Sequence, residues 1–276
     1  MTAKDKIKQF LVYLILIIGA LIMIFPFYWM ITSALKTTEE YFAFPPVWVP
    51  SNIFNFSNFV TAFQKAPLMN YFKNSTIVTL CSVLINGFTT ILAAFGFSRL
   101  KFPGKEVLFG VLVAFMMVPF EMLVITNFQT VSSLRLVDTI PVLIIPFTSS
   151  IFYTYILKGF FDTVSDSLYY SARIDGASNW KYLWRVMVPI ARPSLVTIML
   201  LNAIASWNSF MWVQLVINSD RNRTIPLGIF AFVSEAGSDP KLQLAAATVS
   251  VLPMIILFLF CRKYIVNGVA RGGIKG

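Results

Sequence analysis

Histidine is absent from this 276-residue sequence, cysteine occurs twice, and only 12% of the residues carry a charge. Without histidine, the chain lacks the commonest general base, and two cysteines cannot supply the four ligands of a structural zinc site. Both Cys81 and Cys261 lie inside apolar runs, so a disulfide framework is not expected. The sequence also lacks the clustered Asp, Glu or His set that a membrane-embedded enzyme needs. We therefore expect no enzyme activity, no metal site and no cofactor bound by this chain.

Apolar residues are correspondingly abundant, because 57% of the chain is hydrophobic and its mean hydropathy is +0.75. Soluble domains carry a charge on about a quarter of their residues, so the composition indicates a membrane protein. The first apolar run is too long for a signal peptide and is interpreted as a retained anchor. The prediction is one all-α membrane domain over 1–276. Its six transmembrane helices are expected at residues 10–34, 76–98, 107–128, 140–158, 194–216 and 243–265.

Basic residues are distributed unevenly between the two sides of these spans. If both termini are cytoplasmic, fifteen of the 22 Lys and Arg residues lie on the cytoplasmic side, with five of the 12 acidic residues. Lys and Arg are enriched in the cytoplasmic loops of membrane proteins. The bias therefore predicts cytoplasmic termini, and it accounts for the net charge of +10 without nucleic-acid binding.

Three long loops connect the predicted spans. Residues 36–75 and 217–242 form outer loops, and residues 159–193 form an inner loop. The first outer loop is rich in proline and aromatic residues, so we expect it to fold back onto the membrane interface.

The inner loop contains the polar stretch ARIDGASNW. A helix is predicted to stop at Asp175, because Gly176 accepts the left-handed backbone that ends many helices. Ser178 or Asn179 can cap a second helix. Apolar residues recur at helical spacing and are expected on one face of that helix at the membrane surface: Trp180, Leu183, Trp184 and Met187. The pattern alone leaves open an ordinary interfacial loop or a protein-docking surface. It disfavours a DNA-reading helix-turn-helix.

The run YSARIDGASNWKYLWRVMVPIARP resembles the EAA loop of ABC importer permeases, whose core reads E-A-A-x-x-D-G-A. Asp175, Gly176 and Ala177 match the D-G-A, and Ala172 matches the second alanine. Further segments resemble the carbohydrate-uptake branch of that family, in order along the chain: FPFYWMITSALKTTEE, NSTIV, MMVP, ASWNSFMW, TIPLG and GVARGGIKG.

The resemblance implies the permease subunit of a binding-protein-dependent ABC importer for an oligosaccharide, in the bacterial cell membrane. The implied partners are a second permease, two cytoplasmic ATPase subunits that hold ATP and Mg²⁺, and an extracytoplasmic sugar-binding protein at the 217–242 loop. The inner loop is implied to enter a cleft on the ATPase. The implied ATPase-coupling residues are Ala172, Asp175, Gly176, Ala177 and Trp180.

Two segments depart from motifs of known role. Tyr170 and Ser171 replace the Glu and first Ala of the EAA core, so the contact made through that Glu is not carried over. Gly268 and Gly273 have the glycine spacing of a nucleotide-binding loop, but Ile274 stands where lysine is required. The tail is therefore not expected to bind nucleotide, and the resemblance implies an extension that touches the ATPases.

A candidate substrate path is suggested by polar and aromatic residues inside two spans. Glu121 would cost about 2.5–3.5 kcal/mol to insert at mid-bilayer, so it should face protein or water. Counted by helical rise from the inner side, Glu121 and Asn208 lie at similar depth, and Trp207 and Trp212 flank Asn208. A sugar-contacting cavity and a polar helix–helix contact both remain open. A stand-alone secondary transporter is the alternative function, although it would need more intramembrane carboxylates than Glu121.

The predicted orientation can be tested with single cysteines in a protein lacking Cys81 and Cys261. Asn222→Cys, in the second outer loop, should react with a membrane-impermeant thiol reagent applied to intact cells. Ser178→Cys, in the inner loop, should react only after the membrane is opened. Labelling of Ser178→Cys in intact cells would contradict the predicted orientation and place the inner loop outside the cell.

Overall fold

The computed structural model describes residues 3–235 and 239–272, and this part of the chain contains helices and connecting segments without a β-strand. The helices are α1 (Ala3–Leu35), α2 (Thr38–Phe42), α3 (Ser57–Lys65), α4 (Leu68–Arg99), α5 (Lys105–Phe115), α6 (Phe120–Ser133), α7 (Ile151–Asp162), α8 (Asp166–Ile174), α9 (Asn179–Tyr182), α10 (Val188–Ile190), α11 (Arg192–Trp207), α12 (Met211–Val216), α13 (Ile225–Glu235) and α14 (Pro240–Gly272). Short 3-10 segments cover Ile140–Leu143, Ile145–Phe147 and Asp220–Asn222, and a π-helical turn covers Leu183–Met187.

Three helices are long and apolar enough to cross a membrane alone: Asp5–Leu35 in α1, α4 itself, and Pro240–Lys263 in α14. Three further spans consist of helix pairs with a bend at a short break. The bend is 97° between α5 and α6, 44° between Ile140–Phe147 and α7, and 81° between Asn179–Ile190 and α11. The all-α prediction is confirmed for the described residues, which contain up to six candidate spans by length and composition when each bent pair counts as one.

The third, fourth and fifth predicted spans are wrong as continuous helices. Proline has no N–H to donate and disfavours helical backbone in the residue before it, so α6 begins only after Pro119. Pro141 and Pro146 each stand in the first turn of a 3-10 segment before α7. Within the fifth predicted span, α11 ends at Trp207, and the chain continues as a separate helix, α12, from Met211. Broken backbone at membrane depth is tolerated only where protein or a water-filled cavity surrounds it.

The chain divides into two compact units, Met1–Met69 with Gly228–Pro253 and Asn70–Leu227 with Met254–Gly276. The second unit has two hydrophobic cores. One core joins α4, α7, α9, the π-helical turn and α11. The other joins α4, α6, the 3-10 segments before α7, and α12.

In the first unit, the outer loop folds back onto the end of α1. The Tyr28 hydroxyl donates to the carbonyl of Trp48 at 2.9 Å. The amide of Asn58 donates to the carbonyls of Ala34 and Lys36, both at 2.8 Å. These carbonyls lie at the helix end, where the backbone has no partner of its own, so the loop completes the hydrogen bonding of α1.

In the second unit, Asp138 joins the segment after α6 to the loop after α12. Its Oδ1 accepts hydrogen bonds from Ser219 N at 2.9 Å, Ser219 Oγ at 2.8 Å and Asn218 N at 3.1 Å. Its own N–H donates to Val216 O at 2.7 Å. Burial raises the pKa of Asp138, but these hydrogen bonds outweigh burial and hold the pKa below its ordinary value.

Removal of this charge should destabilise the protein in a pH-dependent way. Because its pKa is depressed in the folded state, Asp138 stabilises the protein fully above its unfolded pKa of about 3.9 and loses this effect as the pH falls through the folded pKa. Asp138→Asn keeps the size and tolerates the φ of +60°, yet it should lower stability by about 1 kcal/mol at neutral pH.

Thermal unfolding in lipid nanodiscs between about pH 7 and pH 3 measures this effect. The difference between wild type and Asp138→Asn should shrink below about pH 4, and the exposed Glu106→Gln variant serves as the control. A stability difference between the two proteins that stays constant across this pH range would contradict the lowered pKa of Asp138.

Candidate functional site

One buried guanidinium fixes the loop after α7 to the end of α4. The Arg99 side chain is 4% exposed, and its Nη2 donates to the carbonyls of Phe161, at 2.7 Å, and Val164. Its Nη1 lies 3.1 Å from Oδ1 of Asp166 at the start of α8. Since carbonyls at a helix C-terminus lack intrahelical donors, Arg99 caps α7 and orients α8 at the same time.

The polar turn has the conformation that its sequence predicts. Gly176 has φ of +76°, its N–H donates to Arg173 O at 3.1 Å, and Ala177 N–H donates to Ala172 O at 2.9 Å. This pair of bonds is the Schellman pattern that ends helices at glycine. Ser178 then caps α9, and its Oγ accepts from the N–H three residues later at 3.2 Å. The predicted helix stop and cap are confirmed, and the turn is rigid because both of its ends are hydrogen-bonded.

The second helix packs mainly on the predicted face, which Tyr182 joins and Trp180 leaves. Tyr182, Leu183 and Met187 are at most 1% exposed and belong to the first core, whereas Trp180 is 57% exposed. The buried face contains Tyr182 and Met187, five residues apart, which the wider π-helical turn permits. Trp180 lies outside this buried face. The ring of Trp180 packs edge-on against the ring of Trp184, with 5.6 Å between the ring centroids.

The predicted coupling residues stand at an exposed edge of the second unit. Asp175, Gly176 and Trp180 are exposed, and Ala172 and Ala177 are half-buried. Apolar and aromatic side chains of α8 are exposed beside them: Leu168, Tyr170 and Ile174. A rigid polar turn among uncovered apolar side chains is typical of a protein-docking surface, although the coupling role itself stays a prediction.

The four residues of the predicted substrate path lie in two different settings. Trp207 and Trp212 are buried at 5% and 2% exposure, and Trp212 Nε1 donates to Val142 O at 3.1 Å. Glu121 and Asn208 are exposed. The chain bends by 97° just before Glu121, so the rise per residue no longer measures depth there. Their role as a substrate path stays a prediction.

A cavity of about 250 Å³ lies between α4, the segment before α7, and α11. None of its polar lining residues is among the site residues predicted from the sequence. A readable signal exists, because hydroxyl and amide side chains recur four residues apart inside two apolar helices and so share a face. The polar lining includes Ser82, Asn86, Tyr153, Asn202, Ser206 and Thr224.

Comparison with known proteins agrees with this architecture. Residues 75–271 match the family described as "Binding-protein-dependent transport system inner membrane component". The chain belongs to this family. Together with its apolar helices, this membership makes the chain a multi-pass membrane permease.

The permease is similar to other proteins over nearly its whole length. It is 33% identical to the "Probable ABC transporter permease protein YurM" of Bacillus subtilis (strain 168), over 99% of this chain and 93% of that protein. It is 30% identical to the "Diacetylchitobiose uptake system permease protein DasC" of Streptomyces coelicolor, over 92% of each.

The same fold occurs in a solved transporter. The crystal structure of "a bacterial ABC transporter involved in the import of the acidic polysaccharide alginate" contains a chain that matches with a TM-score of 0.83. The match covers 96% of this permease and 99% of that chain at 22% identity. At this identity the likeness shows the shared fold.

Substitution of Gly176 tests whether the turn is a docking element. No atom lies within 4 Å of a Cβ built at this position, so the substitution cost is backbone strain of about 1–3 kcal/mol. Gly176→Val should therefore leave the permease in the membrane at a near-normal level but abolish transport, because the side chain projects from the docking turn. Gly176→Asn, which tolerates the left-handed backbone, should also impair transport.

Gly104→Val is the matched control, because Gly104 has φ of +75° and equally open surroundings. This variant should keep transport. Membrane level, assembly and substrate uptake are measured for all three variants. Normal uptake by both Gly176 variants would exclude the turn as the coupling element.

Proposed function

We propose that this permease is one of two membrane subunits of a binding-protein-dependent ABC importer for an oligosaccharide. The observation that carries the proposal is similarity along almost the entire chain to permeases such as the diacetylchitobiose uptake protein. In this proposal, the second permease, two ATPase subunits with ATP and Mg²⁺, and an extracytoplasmic sugar-binding protein complete the transporter. The permease resides in the bacterial plasma membrane with both of its termini in the cytoplasm.

The exposed turn at Gly176 is the proposed contact with the ATPase. A force on this turn would pass through hydrogen bonds into α8 and through Arg99 into α4. It would also pass through the buried Met187 into the first core, which contains residues of α7 and α11. ATP-driven movement of the docked turn would therefore move several spans together.

The outer side is the proposed contact with the sugar-binding protein. Within the 217–242 loop, residues 217–225 are held firmly against α4. Asn74 donates to the carbonyls of Arg221 and Arg223 at 2.8 and 2.9 Å, and Ser75 Oγ accepts from Ile225 N at 2.9 Å. Residues 236–238 of this loop lie outside the described residues. A fixed loop base allows a binding protein docked there to act on α4.

Purification of the tagged permease from its native membrane tests the proposal. We expect a second permease and an ATPase to copurify, and the complex in nanodiscs should hydrolyse ATP faster with a sugar-loaded binding protein. Uptake by cells should require ATP and be unaffected when an ionophore collapses ion gradients. A permease that purifies alone and drives ionophore-sensitive sugar uptake would instead be a secondary transporter.

A further inference from the structure

The cavity between α4 and α11 has a chemically uniform polar lining. Of the lining residues that the structure describes, none is charged, and the polar ones are serine, threonine, asparagine and tyrosine. Phe147 and Tyr153 add aromatic rings. Neutral hydrogen-bonding groups beside aromatic rings suit a ligand that presents hydroxyl groups on an apolar ring.

Three buried oxygen atoms of the lining lack a partner among the described protein groups. They are Ser82 Oγ, Asn202 Oδ1 and Thr224 Oγ1, and these residues are 2%, 9% and 4% exposed. A buried polar atom without a partner costs about 1–3 kcal/mol. All three oxygens belong to residues that line one cavity, so its wall holds unused hydrogen-bonding capacity.

Asn86, which lines the same cavity, has both groups of its side-chain amide paired. Its Nδ2 donates to Phe147 O at 3.0 Å, and its Oδ1 accepts from the hydroxyl of Thr90 at 3.2 Å. Asn86 therefore holds the wall in place, while the atoms without partners are concentrated at Ser82, Asn202 and Thr224.

We infer that this cavity receives one residue of an uncharged saccharide during transport; the inference rests on the proposed function. Its volume of about 250 Å³ lies slightly below the 300–1,000 Å³ of ordinary small-ligand pockets, so it holds one sugar unit. An anionic sugar is disfavoured, because its carboxylate would be buried without a cation to pair with. This preference for an uncharged sugar would distinguish the permease from its structural neighbour, which belongs to a transporter involved in the import of the acidic polysaccharide alginate.

The charge preference is tested by uptake in cells that express the whole transporter. The uncharged probes are diacetylchitobiose, arabinotriose, maltotriose and cellobiose, and the anionic probe is an alginate trisaccharide. We expect import of at least one uncharged probe and none of the anionic probe. Import of the anionic probe, alone or beside an uncharged one, would overturn the inference and leave the proposed function intact.

The location of the site is tested by Asn202→Leu, with Asn127→Leu on α6 as the matched exchange outside the described lining. Asn202→Leu should lower uptake of the imported probe about tenfold, the effect of one lost hydrogen bond of about 1.4 kcal/mol. ATP hydrolysis stimulated by the loaded binding protein should persist, because the coupling turn is unchanged. Asn127→Leu should keep both activities. Unchanged uptake in Asn202→Leu would overturn the inference.

A second variant tests the cavity in a transporter that has already folded and assembled, so a folding defect cannot explain the loss of uptake. Ser206→Cys, in a protein lacking Cys81 and Cys261, is assembled first and then blocked with uncharged benzyl methanethiosulfonate. Uptake should be lost on blocking, return with dithiothreitol, and be protected by the imported probe. Ser133→Cys is the control. Failure of Ser206→Cys to react, or full uptake after its reaction, would show that protein fills the cavity and would overturn the inference.

Discussion

The contacts of the Arg99 guanidinium, which join the end of α4 to the end of α7 and the start of α8, organise the second unit. Arg99 ends α4, caps the carbonyls of Phe161 and Val164 at the end of α7, and pairs with Asp166 at the start of α8. A buried guanidinium is stable only while its hydrogen-bond partners remain in place. The first helix of the inner loop is therefore attached to a span through backbone carbonyls as well as through side-chain packing.

The bilayer explains where the polar groups of this permease are found. Hydrocarbon offers no hydrogen bonds, so an interruption in a spanning helix must be satisfied by the protein or by a hydrated cavity. The breaks here follow that rule. Trp212, just after the interruption between α11 and α12, donates to the carbonyl of Val142, and Thr89 of α4 donates to the carbonyl of Thr148 in the interrupted fourth span. Broken spans thus place backbone and polar side chains beside the cavity.

One helix, α11, connects the core beneath the inner loop with the cavity. Leu195 and Ile198 pack in the first core with Met187 of the inner loop, whereas Asn202 and Ser206 line the cavity farther along. These four residues of α11 recur at spacings of three and four, so they share one face of the helix. A shift of the inner loop would therefore reach the cavity wall along a single continuous element. Such contiguity offers a physical route for coupling between the proposed docking turn and the proposed substrate site.

The sequence by itself determined the features that depend on local chemistry and on solvent. Long apolar runs specify spanning helices, and Gly176 with Ser178 specifies the capped turn, because a left-handed backbone and a cap involve only neighbouring residues. Tertiary structure decided the partners of Arg99, the buried face around Tyr182, and the union of Ser82, Asn202 and Thr224 around one cavity. Those groups come from distant parts of the chain. Helical periodicity shows which residues share a face, but the element that covers that face is set by packing among all the helices.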